Sequence, residues 1–327
     1  MITLFNASGM ATTLSADADE ALDSLSPDIV WIDLLEPTAE EDRLVERLLG
    51  IDVPTRDELK DIEPSSRLYT ENGAVYMTAS LVLKADSHLP ELTDVAFILV
   101  GNRLVTIRYA EPKAFTLFKA AMHRIPGGCG SGAAMIARLL ETIVDRTAEI
   151  LETAVSEIDR LSHQVFGDKR RIDKRPPRYL EGRLMQVASH HRRVAKTRDS
   201  LASLSRLLTF LQSVPEIGGH RASRDLCRTV ARDVQSLSEH ASFISGNITF
   251  LLDASLGLIN LEQNAIIKIF SIASVVLLPP TLIASVYGMN FEYMPELHHP
   301  YAYPVVLLAM VASAVGPFLF FRWKGWL

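Results

Sequence analysis

The chain has 327 residues, room for about two domains, and a formal charge of −6 that argues against a nucleic-acid binder. Its two cysteines, Cys129 and Cys227, suggest no disulfide framework in a reducing cytoplasm and lack the spacing of a metal site. No phosphate loop, nucleophile elbow or paired His-Glu metal motif is present, which leaves an enzyme little support.

The first 125 residues read as a layered α/β domain. Residues 29–34 form a short apolar strand, and 38–49 a helix. Residues 74–82 and 95–100 are apolar or alternating and rich in β-branched side chains. Leu104-Val105-Thr106-Ile107 follows a Gly101-Asn102 turn, the pattern of a hairpin. Residues 1–128 hold 21 Asp and Glu against 11 Lys and Arg, a balance of −10. Such a block is ordinarily solvated surface, and the alternative is a part in binding cations.

Past Gly132 the period becomes helical. Ile136, Leu139, Leu140 and Ile143, then Ile150, Leu151, Val155 and Ile158, recur at three- and four-residue spacing. The opposite face carries Glu141, Asp145, Glu149, Glu152 and Asp159. A basic stretch at 169–178 containing Pro176-Pro177 interrupts this helix, and a second runs from about Tyr179 to Val214. Residues 168–210 carry 12 Lys and Arg against 4 Asp and Glu, a balance of +8. After Pro215 and Gly218-Gly219, no proline occurs from 223 until Pro279, which permits one helix over 223–287. At 1.5 Å per residue it would be about 95 Å long.

Two uncharged apolar runs close the chain, at 269–287 and 301–321. A bilayer core about 30 Å thick needs roughly 20 apolar residues in helix, so both read as membrane spans. Lys268 flanks the first, Arg322 and Lys324 follow the second, and the intervening loop holds Glu292 and Glu296 but no cation. The positive-inside rule then puts both ends in the cytoplasm and the loop outside. Trp323 and Trp326 would lie at the inner interface, and Tyr293, Tyr301 and Tyr303 near the outer one. The opening Met1-Ile2-Thr3-Leu4-Phe5 lacks the features of a signal peptide, so the large N-terminal part is expected in the cytoplasm.

The first span carries a stripe of Ser271, Ser274, Leu278, Thr281 and Ser285, extended toward the cytoplasm by Asn264 and Ile267. Small residues of this kind also pack between helices. Pro279-Pro280 removes two backbone donors within the span. Freed carbonyls in a membrane must be buried in protein or face a watery cavity. Two spans are too few to enclose a path, so a pore needs several copies in cyclic symmetry, each placing its first span at the axis. Gly288 can end the helix with positive φ, setting Asn290 near the mouth. Magnesium gives up its waters reluctantly, and a ring of Asn amides and backbone carbonyls would hold the hydrated ion by outer-shell hydrogen bonds. Glu292 and Glu296 lie beyond, where they would concentrate cations.

Tyr287-Gly288-Met289-Asn290, the following residues 291–297, the flanking spans and the basic tail together resemble the CorA family of magnesium transporters. Asn264, Lys268 and Pro279-Pro280-Thr281 are similar to that family's pore helix. Trp31-Ile32-Asp33-Leu34 and Arg56-Asp57-Glu58-Leu59 carry a weaker likeness in the cytoplasmic part. The resemblance implies a funnel-shaped homopentamer in the inner membrane, with a cytoplasmic α/β domain (1–130), a helical hairpin (131–220), a stalk helix (221–268), a pore-lining span (269–287), a periplasmic loop (288–300), an outer span (301–321) and a basic tail (322–327). It implies Gly288, Met289 and Asn290 as the selectivity site, and Phe270 and Leu278 as apolar constrictions. Thr281 and Ser285 become polar rings between gate and mouth. It implies Mg²⁺ as both cargo and regulatory ligand, driven by the membrane potential without ATP, with Co²⁺ or Ni²⁺ as further expected cargo. Asp86 and Glu91 in the domain, with Asp225, Asp233 and Asp253 on the stalk, are the candidates for a regulatory site between subunits. His298-His299 departs from the family pattern, and imidazole suits zinc, cobalt or nickel, although neighbouring side chains in an extended loop point apart. A zinc transporter of the same superfamily and a non-transporting membrane-anchored metal sensor are the alternatives.

Overall fold

The computed structural model describes residues 1–14, 24–60, 63, 67–87, 89–124, 129–167, 179–290 and 294–326. The basic stretch at 169–178, Glu292 and Tyr293 lie outside the described residues, as does the side chain of Glu296. The chain divides into two compact units, Met1–Leu252 and Asp253–Leu327.

The first unit is built on a seven-stranded sheet. Its strands are β1 (Ile2–Asn6), β2 (Ala11–Leu14), β3 (Ile29–Leu35), β4 (Leu68–Glu71), β5 (Ala74–Leu83), β6 (Glu91–Val100) and β7 (Arg103–Arg108). They lie in the order β2-β1-β3-β7-β6-β5-β4. Every pair is antiparallel except β3 with β7, which run parallel with Asp33 opposite Thr106. The hairpin expected at Gly101-Asn102 is the β6–β7 pair, with Gly101 at φ 54. Strands 74–83 and 91–100 extend beyond the stretches that hydrophobicity alone marks. Each continues by pairing with the other, Leu83 with Glu91 closing the ladder.

Alternation along β3 sends Ile32 and Leu34 to one face and Trp31 and Asp33 to the other. On the first face Ile32, Leu34, Ile98, Val105 and Ile107 form a core with Leu44 and Val45 of helix α1 (Ala39–Leu49). That helix starts at a capping box: Thr38 Oγ1 accepts from the Glu41 amide and Glu41 Oε2 from the Thr38 amide. Gly50 ends it in the left-handed region, at φ 65. On the second face pack α2 (Lys113–Ala121), α3 (Gly132–Phe166) and α4 (Tyr179–Ser213). The α3–α4 hairpin is pinned by Arg193 and His190 on Glu157, at 2.7 and 3.2 Å. Gly132 at the start of α3 is required sterically, because a Cβ there would lie 2.5 Å from the carbonyl carbon of Arg103.

The single turn α5 (Pro215–Gly218) leads into α6 (Arg221–Tyr287), one continuous helix as its sequence permits. Within the first unit, Cys227, Val230, Val234, Ala241, Ile244, Ile248 and Leu251 are buried at heptad-like spacing. Phe250 meets Phe166 of α3 at 6.5 Å. The second unit comprises the rest of α6 and helix α7 (Ala302–Trp323), joined through a 3₁₀ turn at Pro295–His298.

Candidate ion-conduction site

Helix α6 runs through Pro279 and Pro280 without interruption. Proline cannot donate, so the carbonyls of Val275 and Val276 lose their helical partners while the helix persists. Thr281 Oγ1 donates to the carbonyls of Leu277 and Leu278 at 2.6 and 2.9 Å. Ser274 donates to the Phe270 carbonyl at 2.9 Å. Ser271 and Ser285 make no side-chain hydrogen bond among the described residues, so their hydroxyls are available to solvent or an ion's water shell.

At about 100° per residue, Asn264, Ile267, Phe270, Ser271, Ser274, Leu278, Thr281 and Ser285 fall within a sector about 120° wide. All eight are exposed in the single chain. Helix α7 buries none of its residues and presents apolar side chains all round. Both helices pass the length and composition test for membrane spans. A helix apolar on every face needs lipid or other helices around it. Lys268 Nζ lies 5.9 Å from the Trp326 ring, so the start of the first span and the end of the second meet at one level.

The helix ends at Tyr287 through a contact the sequence does not reveal. Gly288 keeps negative φ, contrary to the expected left-handed cap. Its amide donates to the Ala284 carbonyl at 2.9 Å, and an added Cβ would stand 3.0 Å from that same oxygen. A side chain at 288 would press on that carbonyl at the end of its own helix. Asn290 follows with an exposed side chain that has no hydrogen-bond partner among the described residues. Met289 beside it is half exposed. His298 Nδ1 lies 3.3 Å from the Met294 carbonyl and His299 Nδ1 accepts from the Tyr301 amide at 3.4 Å, which occupies one ring nitrogen of each.

The family model described as "CorA-like Mg2+ transporter protein" matches residues 26–323. The chain is 33% identical over 300 residues to the magnesium transport protein CorA of Haemophilus influenzae, covering 91% of this chain and 92% of that one. It is 35% identical over 305 residues to CorA of Salmonella typhimurium, covering 92% of each. The complete CorA structure from Methanocaldococcus jannaschii matches with a TM-score of 0.75 at 20% identity, over 100% of this chain and 99% of that chain. The full-length CmaX structure matches at 0.72 and 17% identity, over 98% and 96%.

This chain belongs to the CorA-like Mg²⁺ transporter family.

Its cargo class is therefore Mg²⁺, and the family is one of transporters rather than enzymes. The fold of the full-length relatives, an α/β unit followed by a long helix and a C-terminal apolar helix, is the fold found here.

Each of the five carboxylates singled out for regulation has its own surroundings. Asp86 is exposed yet held by Arg146 at 3.1 Å and Lys113 at 3.5 Å. Desolvation alone would raise its pKa, but these two cations hold it below the usual carboxylate range. Glu91 pairs with Lys84 at 3.0 Å. Asp225 lies loosely between Arg221 and Arg228, at 3.8 and 3.9 Å. Asp233 faces Asp145 of α3, whose pKa is raised by desolvation and then by Glu141, Asp233 and Glu149. Asp253 has no ion-pair partner among the described residues. No group of three His, Cys, Asp or Glu among the described residues stands ready to hold a metal.

Sequence reasoning on the weak Trp31-to-Leu34 likeness misses a buried polar network. Asp33 is 1% exposed and accepts from Arg108 Nε at 3.0 Å, Arg108 Nη2 at 2.8 Å, Lys119 Nζ at 2.7 Å and Thr106 Oγ1 at 2.8 Å. Trp31 Nε1 donates in turn to Thr106 Oγ1 at 2.9 Å. The parallel β3–β7 register builds this site, and Asp33 and Arg108 are 75 residues apart. It ties β3 to β7 and to helix α2.

Proposed function

We propose that this chain is one subunit of a homopentameric channel in the cytoplasmic (inner) membrane, with both termini in the cytoplasm, and that it carries Mg²⁺ inward down the membrane potential. The observation that carries the reading is the polar stripe on α6. Asn264, Ser271, Ser274, Thr281 and Ser285 share one face of a helix that is otherwise apolar through the span, and such a face suits the axis of a ring of copies. The basic flanks, the acidic loop and the Lys268–Trp326 contact support the orientation. A dication gains about 4.6 kcal/mol per 100 mV, so no ATP is needed.

In this reading Gly288, Met289 and Asn290 of each copy form the outer filter. The uncommitted Asn290 amide binds the ion's waters rather than the ion, which avoids the dehydration cost and keeps release fast. Glu292 and Glu296 raise the local cation concentration. Phe270 and Leu278 form apolar constrictions that close by dewetting, and Ile267 lines the path between Asn264 and Phe270. Co²⁺ and Ni²⁺, as hydrated dications, pass the same filter.

Cytoplasmic Mg²⁺ then acts as regulator by bridging carboxylates of adjacent subunits. Asp253, without an ionic partner of its own, is the stalk carboxylate best placed to accept it, with Asp225 and Asp233 as the other stalk candidates. On the domain side an arriving ion must displace Arg146 and Lys113 from Asp86, or Lys84 from Glu91. Such competition gives a weak site, as a sensor of free Mg²⁺ needs.

The test is Mg²⁺ uptake by wild type and Asn290→Ala in a magnesium-dependent host, with membrane levels of both proteins measured. Loss of uptake at equal protein level is expected. Undiminished uptake by the variant would refute the filter and favour a membrane-anchored sensor.

A further inference from the structure

We infer that a cavity between the end of β5 and helices α2, α3 and α4 binds a compact uncharged amphiphile. The ligand class is an aliphatic body carrying one hydroxyl or carbonyl group, with Ser200 as its polar partner. The cavity holds about 480 Å³, within the range of small-molecule sites. Its wall is mainly apolar. Leu81 and Ala85 come from the end of β5 and just beyond it, Ala114 from the start of α2, and Ile143 and Ile150 from one face of α3. Such a wall favours an apolar body over water. No aromatic ring lines it among the described residues, so nothing there stacks a planar ring.

The observation that points to a ligand is the Ser200 hydroxyl. Ser200 is 1% exposed, lines the cavity, and its Oγ has no hydrogen-bond partner among the described residues. It lies well inside α4, where the backbone is committed to the helix, so it meets the cavity with its side chain. The hydroxyls one turn away on the same buried face are satisfied. Thr197 Oγ1 donates to the Arg193 carbonyl at 2.9 Å, and Ser203 Oγ accepts from the Ser80 amide at 3.0 Å. Thr147, also in the cavity wall, donates to the Ile143 carbonyl at 2.8 Å. Ser200 alone of these four does neither, although a helical serine can turn its hydroxyl to the carbonyl four residues back. A buried hydroxyl ordinarily finds a partner, and a hydroxyl or carbonyl group of a ligand supplies one.

The charges of the lining argue that the ligand carries none. Asp86 holds Arg146 at 3.1 Å and Lys113 at 3.5 Å, Arg146 also holds Glu149 at 2.8 Å, and Lys84 pairs with Glu91 at 3.0 Å. Glu111, the remaining charged residue of the lining, is exposed to solvent. A carboxylate entering the cavity would lose its hydration and find both Lys113 and Arg146 already taken by Asp86. An uncharged hydroxyl or carbonyl group gives up far less water, and the Ser200 hydroxyl replaces it.

This inference does not depend on the ion path. To test it, cyclohexanol, cyclohexanone and cyclohexanecarboxylate are titrated in separate arms into the full chain in detergent micelles. Isoleucine methyl signals are followed by NMR, those of Ile143 and Ile150 being assigned through Ile143→Val and Ile150→Val. Both signals should shift saturably with the alcohol or the ketone, with affinity about tenfold weaker in Ser200→Ala, the loss of one hydrogen bond. Tighter binding of the alcohol identifies a hydroxyl as the ligand's polar group, and tighter binding of the ketone a carbonyl. Removing a hydroxyl without a partner leaves the fold intact, so Ser200→Ala should unfold in urea no earlier than wild type. Absence of saturation at Ile143 and Ile150, which would leave water alone to serve Ser200, would overturn the inference. Equal affinity in wild type and Ser200→Ala, or tightest binding of the carboxylate, would do the same.

Discussion

Asp33→Asn tests the buried network that organises the sheet. The carboxylate receives four hydrogen bonds between 2.7 and 3.0 Å, three of them from the cationic Arg108 and Lys119. Arg108 is fully buried, with its guanidinium 4.7 Å from the Phe115 ring. Asparagine keeps the volume but removes the charge and turns one acceptor into a donor facing a cation. Breaking a buried pair in this way costs about 3–5 kcal/mol. Lys119 is partly exposed, so Lys119→Met should cost no more than about 1 kcal/mol. Trp31 is the one tryptophan of the first unit, stacked on Phe5 at 4.4 Å. In a Trp323→Phe/Trp326→Phe background its fluorescence reports unfolding of this unit alone. Urea titration of the full chain in micelles should show the loss. The linkage has a definite sign. Burial would raise the Asp33 pKa, but Arg108 and Lys119 outweigh it and lower it from 3.8. The contribution of Asp33 is therefore complete above the unfolded value and fades as pH falls through the lowered folded one. The difference between wild type and Asp33→Asn should shrink over the same acid window. A difference under about 1 kcal/mol at pH 7 would refute the reasoning.

Asp42 works in the opposite direction. Its pKa rises from 3.8 to about 6, first by desolvation and then through Glu46 and Glu41. Ionisation therefore destabilises the unit as pH climbs through 6. Asp42→Asn should gain about 1 kcal/mol at pH 8 after allowance for partial exposure, and nothing at pH 3, by urea titration at the two pH values. Gly132→Ala puts a methyl 2.5 to 2.8 Å from the backbone of Arg103 and Leu104, and should cost about 3 kcal/mol. An unchanged urea midpoint would show that the start of α3 can move away from β7. Asp253→Asn should leave Mg²⁺ uptake active at cytoplasmic concentrations that silence wild type, measured as flux into Mg²⁺-preloaded liposomes. Equal inhibition of both would remove Asp253 from regulation.

Local patterns explain how much of the molecule is legible in its residues. The hairpin at Gly101-Asn102 needs only a turn that tolerates positive φ and two β-branched neighbours. The helix of 132–166 shows in its apolar period, and that of 179–213 only in the prolines that bound it, Pro176-Pro177 and Pro215. Strands β1, β2 and β4 escape such reading because they are four or five residues long and edge strand β2 is largely exposed. Helix α2 escapes too, since its nine residues follow Pro112 without a side-chain cap. The Gly-Met-Asn loop is readable as a motif, yet its glycine does not take the left-handed cap expected of it and instead lies close to the Ala284 carbonyl.

By itself the sequence determines the two apolar spans, the long helix feeding the first of them and the stripe along it. Each depends on composition or period within one continuous segment, where neighbours in the chain are neighbours in space. Tertiary structure alone decides that β3 pairs parallel with β7, burying Asp33 against Arg108, and that Arg146 and Lys113 occupy Asp86. These meetings join residues 27 to 75 positions apart, and their partners are selected by burial and charge across the fold rather than by local preference.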